Sequence, residues 1–410
     1  MPSEINADIA VVGGGIAGGT LACILAAAGL TVVSIDREGL AARLEPSFDG
    51  RTTAISYGSR RVLEAAGVWS QLEPHAAPIE QIRIADGAAP TYLHFDSAAV
   101  EGRAFGWIID NSLIRRALAT RMESLRGLTP LSPATVTSFE ADMGYARIGL
   151  SDGRKIRASL IVGADGKGST MRRLAGIDLR KTDYAQTALV FVVSHTAPHH
   201  NIALEHFYGA GPFAVLPMVD GEQSVHRSSV VWTVGANEAP ALLAMGETDF
   251  NAALQPLFGD YYGQVALLGK RFSYPLGLQE AKTYIGPRLA LAADAAHAIH
   301  PIAGQGLNLG LRDVALLAEL MVDSARLGLD IGTTTMLKSY ERQRRADALK
   351  LIAATDILNR LFSNEIAPVR LTRNLGLGMV QKMPALKKSF MLTAMGLAGT
   401  PPRLVRGEAL

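Results

Sequence analysis

The sequence predicts an α/β fold. A mainly parallel sheet with crossover helices forms one domain, a mostly antiparallel sheet forms a second, and a helical segment closes the chain. Three observations predict it. An uncharged run from Ile9 to Ile35 reads as strand, glycine loop, helix and strand. The region 176–279 is built of short β-rich runs broken by Gly and Pro. After about residue 345 the pattern turns helical. With 410 residues, 48% of them hydrophobic and 19% charged, the chain is too apolar to be disordered and long enough for two or three domains. Forty basic against 38 acidic residues leave a net charge of +2, which argues against nucleic acid as a partner. A single cysteine, Cys23, excludes an internal disulfide framework and a Cys-rich metal site, and its place in the first helix marks it as packing. Six glycines interrupt Ile9–Ile35, and Glu4 and Asp8 stand where a signal peptide would be basic, so the run reads as buried β-α-β rather than a membrane span.

Ala7–Val12 is the first strand. Gly13, Gly15 and Gly18 then satisfy G-x-G-x-x-G, a helix is expected over Thr20–Ala28, Gly29 ends it, and Thr31–Ile35 is the second strand. Gly13 permits the tight turn, Gly15 lets backbone approach a pyrophosphate, and Gly18 lets helix and strand pack closely. The helix N-terminus offers free N–H groups and partial positive charge to phosphates. Asp36 follows at the end of the second strand, where a carboxylate can accept from a ribose hydroxyl. Arg37 reads either as a cover for an adenine or as a solvated surface charge. These parts together indicate a dinucleotide site without choosing between FAD and NAD.

Two later signatures choose. Ser159–Gly163 reads as a strand leading into Asp165-Gly166-Lys167-Gly168-Ser169-Thr170-Met171-Arg172, a D-G-x-x-S-x-x-R segment with Ser169 as helix cap. Arg288–Ala292 reads as a strand followed by Asp294, then His300-Pro301-Ile302-Ala303-Gly304-Gln305-Gly306-Leu307-Asn308 and a helix expected over about Leu309–Met321. A carboxylate at a strand end can bind a polyol, and loop N–H groups before a helix can face the electron-rich edge of a reduced flavin.

With these three segments in this order, the sequence resembles the group A flavoprotein aromatic hydroxylases, whose fold is that of para-hydroxybenzoate hydroxylase. More narrowly it resembles the ubiquinone-biosynthesis hydroxylases, through Asp49–Ser56, Gly67-Val68-Trp69, Tyr274-Pro275-Leu276 and above all His300–Asp313 (HPIAGQGLNLGLRD). The resemblance spans about residues 7–400. It implies a Rossmann-type FAD-binding domain over 1–75, 105–175 and 280–345, a substrate domain over 76–104 and 176–279, and a C-terminal helical segment over 346–410. It implies that Gly13, Gly15, Gly18 and Asp36 hold the ADP half of FAD, with Arg51 near the pyrophosphate. Asp165 would lie near the pyrophosphate and the NAD(P)H path, and Asp294 on the ribityl chain. Gly306, Leu307 and Asn308 would present N–H groups to the ring, and Pro301 would shape the loop along it. The family carries Gly-Asp where this chain has Ala293-Asp294, an extra methyl where close backbone approach is expected.

The implied reaction hydroxylates the ring of a polyprenylated phenol in ubiquinone biosynthesis. NADPH or NADH reduces FAD, O2 forms a flavin C4a-hydroperoxide, and the activated phenol attacks it. The competing reading is a non-hydroxylating flavoprotein, either a prenyl reductase or an FAD-binding scaffold of a biosynthetic complex. Few charges fall on the β-rich runs, so the cavity beneath is expected to be apolar. His300 is the one candidate for moving a proton, against a loop hydrogen bond. His297 reads as structural, and the paired His199-His200 as an exposed turn. Asp294, His297 and His300 form D-x-x-H-x-x-H, yet Pro301 breaks the face and no fourth ligand is evident, so no metal is expected. Residues 361–410 carry seven basic and two acidic side chains among apolar ones. This segment reads either as a helix with a solvated basic face or as a contact for a membrane surface and other biosynthetic enzymes. A cytoplasmic protein, peripheral on the inner face of the membrane, is the corresponding expectation.

Overall fold

Five strands run parallel in the order Leu128–Leu131, Val32–Ile35, Glu4–Val12, Lys155–Gly163, Leu289–Leu291. The structure, a computed structural model, describes residues 4–44, 48, 50–86, 92–300, 304–362 and 383–410. Asp49, Pro301, Arg370, Arg373 and Lys382 therefore lie outside the described residues. The strands are continuous apolar runs because both faces are covered: Ile9, Ala10 and Val11, and Leu160, Ile161 and Val162, are all fully buried. Their register is the important feature. Val12 pairs with both Ile35 and Gly163, and Gly163 with Leu291, so the carboxyl ends of four strands reach one line.

Ile16–Ala27 crosses between the first two strands, starting four residues earlier than the sequence suggests. Gly18 and Gly19 weaken a helix in isolation, but every residue from Ala17 to Leu25 is buried here, and burial outweighs propensity. Cys23 lies within it, fully buried, and desolvation pushes its thiol up to about 12.

The second sheet has eight strands, antiparallel except where Ile202–Tyr208 runs alongside Gln81–Asp86. Two strands of seventeen residues each, Leu179–His195 and Val265–Ala281, form its spine. The sequence shows only fragments of them, because Gly269, Pro275 and Gly277 punctuate the second. Alternation sorts the faces. Leu189, Phe191, Phe213, Val215, Val230 and Val234 pack under the helices Ala239–Ala244 and Glu247–Phe258. Ala188, Val190, Ala214, Leu216 and Val231 point the other way, toward the parallel sheet. Val136–Ala141, Ala146–Leu150 and Ile285–Gly286 add antiparallel strands to the first sheet, and Thr52–Ser56, Gly106–Asp110 and Ala77–Ile79 form a separate three-stranded sheet. His199 departs from the exposed turn expected of it: its ring is buried and Nε2 lies 2.9 Å from the Met218 carbonyl.

Two long helices, Gln305–Arg326 and Thr334–Phe362, back the parallel sheet. The first begins earlier than the expected Leu309, because Gly304 takes the left-handed conformation (φ 61°) and caps it. Within it, Asp313 is wholly buried and ties three segments together. One carboxylate oxygen accepts from the Ala293 amide at 2.8 Å and meets His297 Nε2 at 2.7 Å; the other accepts from Arg344 Nε at 2.7 Å. Burial alone would raise the Asp313 pKa, but the His297 and Arg344 charges and hydrogen bonds bring it down to about 2. Helices Pro384–Ala394 and Arg403–Arg406 follow. Arg403 pairs with Asp323 at 2.6 Å and Arg406 with Glu408 at 2.6 Å, so part of the tail's positive charge is neutralised by acids of the same chain.

Asp313→Asn removes the buried one of two carboxylate partners of the Arg344 guanidinium, the other being Asp347 at 2.8 Å, and is expected to cost about 3 kcal/mol in urea unfolding at pH 7. The folded-state pKa lies below the unfolded value of about 3.9, so the carboxylate's contribution is complete above about pH 4 and lost as pH falls through about 2. A variant as stable as the parent at pH 7 would contradict this role.

Candidate active site

Each strand end in the parallel sheet opens into one of the sequence motifs. The Gly13 amide donates to the Ile35 carbonyl at 2.8 Å, the Ala164 amide to Val12 at 2.7 Å, and the Ala292 amide to Gly163 at 2.9 Å. Gly13 sits at φ 105°, where a Cβ would lie 2.3 Å from the Ala164 carbonyl oxygen. A Cβ on Gly18 would lie 1.9 Å from the Gly13 carbonyl oxygen. Neither position accepts a side chain. Gly15 differs: a Cβ there meets nothing within 4 Å, and the residue faces open space at the helix start.

That space is a cavity of about 720 Å³ running from the glycine loop to the second sheet. Gly15, Asp36, Arg51, Asp294, Gly306, Leu307 and Asn308 all line it. A smaller cavity of about 240 Å³ adjoins the glycine loop, lined by Gly13, Gly15, Asp36, Arg37 and Asp165. Asp36 bridges the two, and its carboxylate accepts from the Gly14 amide at 2.5 Å and the Glu38 amide at 2.7 Å. Arg37 is exposed beside the smaller cavity, which places it at the far end from the second sheet. The Arg51 guanidinium stands 5.6 Å from the Tyr274 ring centroid.

Asp165 lines the smaller cavity beside the glycine loop and also has a structural role. Its carboxylate accepts from the Ser169 hydroxyl and from the Thr170 and Met171 amides at 2.7 and 3.2 Å, so it caps the helix Thr170–Leu174. Ser169 caps the same helix through the Arg172 amide at 3.0 Å. Arg172 then reaches across, donating to the Ala295 carbonyl and to the Lys167 carbonyl, each at 2.8 Å. The D-G-x-x-S-x-x-R segment thus fastens one motif loop to another.

Asp294 is the group left over. Its carboxylate lines the large cavity and accepts no hydrogen bond from the described residues. Burial pushes its pKa up, with the Lys167, His297 and Arg51 charges opposing. A desolvated acceptor beside an open channel fits a polyol chain that would supply hydroxyl donors. The first turn of Gln305–Arg326 holds Gly306, Leu307 and Asn308, which line the same cavity, and the Gly306 and Leu307 amides precede the helical ladder. The Asn308 side chain fixes that turn: it accepts from the Ser56 amide at 2.9 Å and donates to Ala54 at 2.7 Å and Gly304 at 3.1 Å. The donors and acceptors present therefore fit FAD.

Ala293 takes φ 53°, a left-handed backbone natural to glycine and costly to alanine by roughly 1–2 kcal/mol. Its methyl points at Gly310, where an added Cβ would come within 2.7 Å of it. The close approach expected at this position is met by the helix backbone at a second glycine. His300 is buried, its ring edge-on to Tyr184 at 5.2 Å, and is not among the cavity-lining residues. Desolvation lowers its pKa to about 4, which leaves it neutral at pH 7. Two residues escaped the sequence reading. Arg43 is 2% exposed, lines the large cavity, and donates to the Gly14 carbonyl at 2.6 Å. Glu205 lines the cavity from the second sheet. No local spacing announces either.

A family model for an FAD binding domain matches residues 6–355. The ubiquinone hydroxylase UbiL of Rhodospirillum rubrum is 48% identical over 98% of this chain and 94% of its own length. The 3-demethoxyubiquinol 3-hydroxylase of Escherichia coli is 32% identical over 95% of this chain and 98% of its own. Among solved structures, the p-nitrophenol 4-monooxygenase PnpA of Pseudomonas putida shares the fold, with a TM-score of 0.78, 20% identity, and coverage of 97% of this chain and 99% of that one.

Asp294→Ala is expected to raise the FAD dissociation constant roughly ten- to a hundredfold, the worth of charge-assisted hydrogen bonds of about 1.5–3 kcal/mol. Fluorescence titration of the apoprotein reads it, and unchanged affinity would remove Asp294 from the site. Ala293→Gly is expected to stabilise the fold by up to about 1 kcal/mol and to leave FAD binding equal or tighter; weaker binding would show that the methyl serves the cofactor.

Proposed function

The chain belongs to the FAD-binding domain family as an FAD-dependent monooxygenase, and from that premise we propose that it hydroxylates the ring of a polyprenylated phenol on the way to ubiquinone, with NAD(P)H as electron donor and O2 as co-substrate. One observation carries the reading: a single cavity joins the cofactor-type groups at the parallel strand ends to an apolar wall on the second sheet. FAD, when bound, supplies the redox and oxygen chemistry. The protein's own residues do the rest.

Asp294 and the glycine loop orient the cofactor along the cavity. The amides of Gly306 and Leu307 at the helix start offer fixed dipoles where negative charge would develop on the ring, at no cost of reorganisation, with Asn308 holding the turn in place. Ala188, Val190, Ala214, Leu216 and Val231 exclude water from the reacting ring. The wall continues through Ile79, Ile82, Phe105 and Ala203 to Ala394, on the helix Pro384–Ala394, and this apolar end suits a prenyl tail. That helix exposes Met383 at its start and Phe390, alongside Lys387 and Lys388. Such a surface supports delivery of the tail from an anionic membrane face. No helix among the described residues is long and apolar enough to cross a membrane.

The enzyme with FAD, NAD(P)H, a prenylated phenol and ¹⁸O2 is expected to place one labelled oxygen on the ring for each NAD(P)H consumed, read by mass spectrometry. A saturated prenyl chain formed without O2 would favour a reductase, and no product at all a scaffold.

A further inference from the structure

We propose that Glu205 is the proton acceptor for the phenolic hydroxyl of the substrate, an inference that rests on the hydroxylase reading. Glu205 lies on the strand Ile202–Tyr208, opposite Ala214, which in turn lies opposite Val231. Along this strand Leu204 packs into the core beneath the helices, while Ala203 and Glu205 face the cavity. Among the described residues, Glu205 is the only acidic side chain that the second sheet presents there. The other acids on the cavity wall, Asp36, Glu38 and Asp294, belong to the nucleotide-loop end. Glutamate is a poor strand former, and here its carboxylate sits on a wall otherwise built of apolar side chains such as Ala203, Ala214 and Val231.

A second observation indicates that this wall is built to meet an oxygen-bearing ligand. Thr233, two residues along from Val231 on the same face, is 2% exposed, and its hydroxyl has no hydrogen-bond partner among the described residues. A buried hydroxyl left without a partner is costly, and a ring oxygen of the substrate would satisfy it. Thr233 thus supplies a neutral contact and Glu205 a basic one.

The chemistry needs such a base. A phenolate gives ring electrons to an electrophilic oxygen more readily than a neutral phenol does. The step is a proton transfer alone. The phenolic O–H bond breaks, an O–H bond forms on a Glu205 carboxylate oxygen, and the electron pair stays on the substrate oxygen in conjugation with the ring. No oxidant or reductant is consumed in it, and the proton leaves to solvent when the product departs.

The test uses the FAD-loaded enzyme with a prenylated phenol, following kcat and KM across pH with FAD content and melting temperature as controls. Glu205→Gln, which keeps the size, is expected to lower kcat by about a hundredfold or more and to abolish the fall of kcat on the acidic side. Glu205→Asp should keep that acidic limb at reduced kcat. Thr233→Val should raise KM severalfold and leave the pH profile in place. Glu205→Gln with kcat within threefold of the parent and the acidic limb intact would overturn the proposal while leaving the hydroxylase reading standing. A parent enzyme that makes no hydroxylated product would overturn both. If Glu205→Gln does not retain FAD, Glu205→Asp decides: reduced kcat with the limb kept supports the role, and unchanged kcat overturns it.

Discussion

The shared level of four parallel strand ends is the constraint on which the rest depends. Val12, Ile35, Gly163 and Leu291 stand in register, and hydrogen bonds between neighbouring strands carry that alignment one residue beyond the sheet. Three segments more than a hundred residues apart in sequence therefore leave the sheet side by side. Open α/β sheets bind ligands at this edge because the strand ends there release free backbone amides and side chains into a crevice. Slipping any one strand by a residue would exchange its two packed faces and carry its motif away from the others.

Alignment alone does not hold the loops, and two buried ionic groups do so. Asp313 fixes the Ala293 amide and His297 from the helix behind them, with Arg344 completing its charge. Arg172 fixes Ala295 from the neighbouring loop. Asp294 lies between these two anchors, and its own carboxylate is left for the cavity. The arrangement separates the two kinds of charge: Asp313 and Arg172 are satisfied and buried behind the loops, while the Asp294 carboxylate lines the cavity. Burying a pair such as Asp313–Arg344 brings little net stability against an apolar alternative. Its worth here is the position it gives the backbone. The same anchoring lets Ala293 persist in a left-handed conformation, since the loop is over-determined from both sides.

The parallel half was legible in the sequence because its signals are local. A glycine that cannot carry a Cβ, a strand that is apolar throughout and an acid at a strand end each announce themselves within a few residues, and Gly13, Gly18 and Asp294 stand where those signals put them. Other features depended on long-range pairing. Asp313 was visible inside HPIAGQGLNLGLRD, but its partners Ala293, His297 and Arg344 come from other segments. Asp165 has the spacing of a ligand and the hydrogen bonds of a helix cap, and spacing does not distinguish the two. The helix over Gln305–Arg326 begins where the left-handed Gly304 permits, a backbone state that glycine allows in many places. Glu205 was illegible: its strand is half apolar on either face, and only the register with Ala214 and Val231 shows which face meets the cavity.

The account's central claim is that one cavity holds both the cofactor at the strand ends and an aromatic substrate on the apolar sheet face. Anaerobic stopped-flow reduction of the FAD-loaded protein by NAD(P)H, with and without a prenylated phenol, tests this most directly. The account predicts that the phenol perturbs the flavin absorbance and accelerates its bleaching. A flavin spectrum and reduction rate indifferent to the phenol would contradict it, since two ligands sharing one cavity must sense each other.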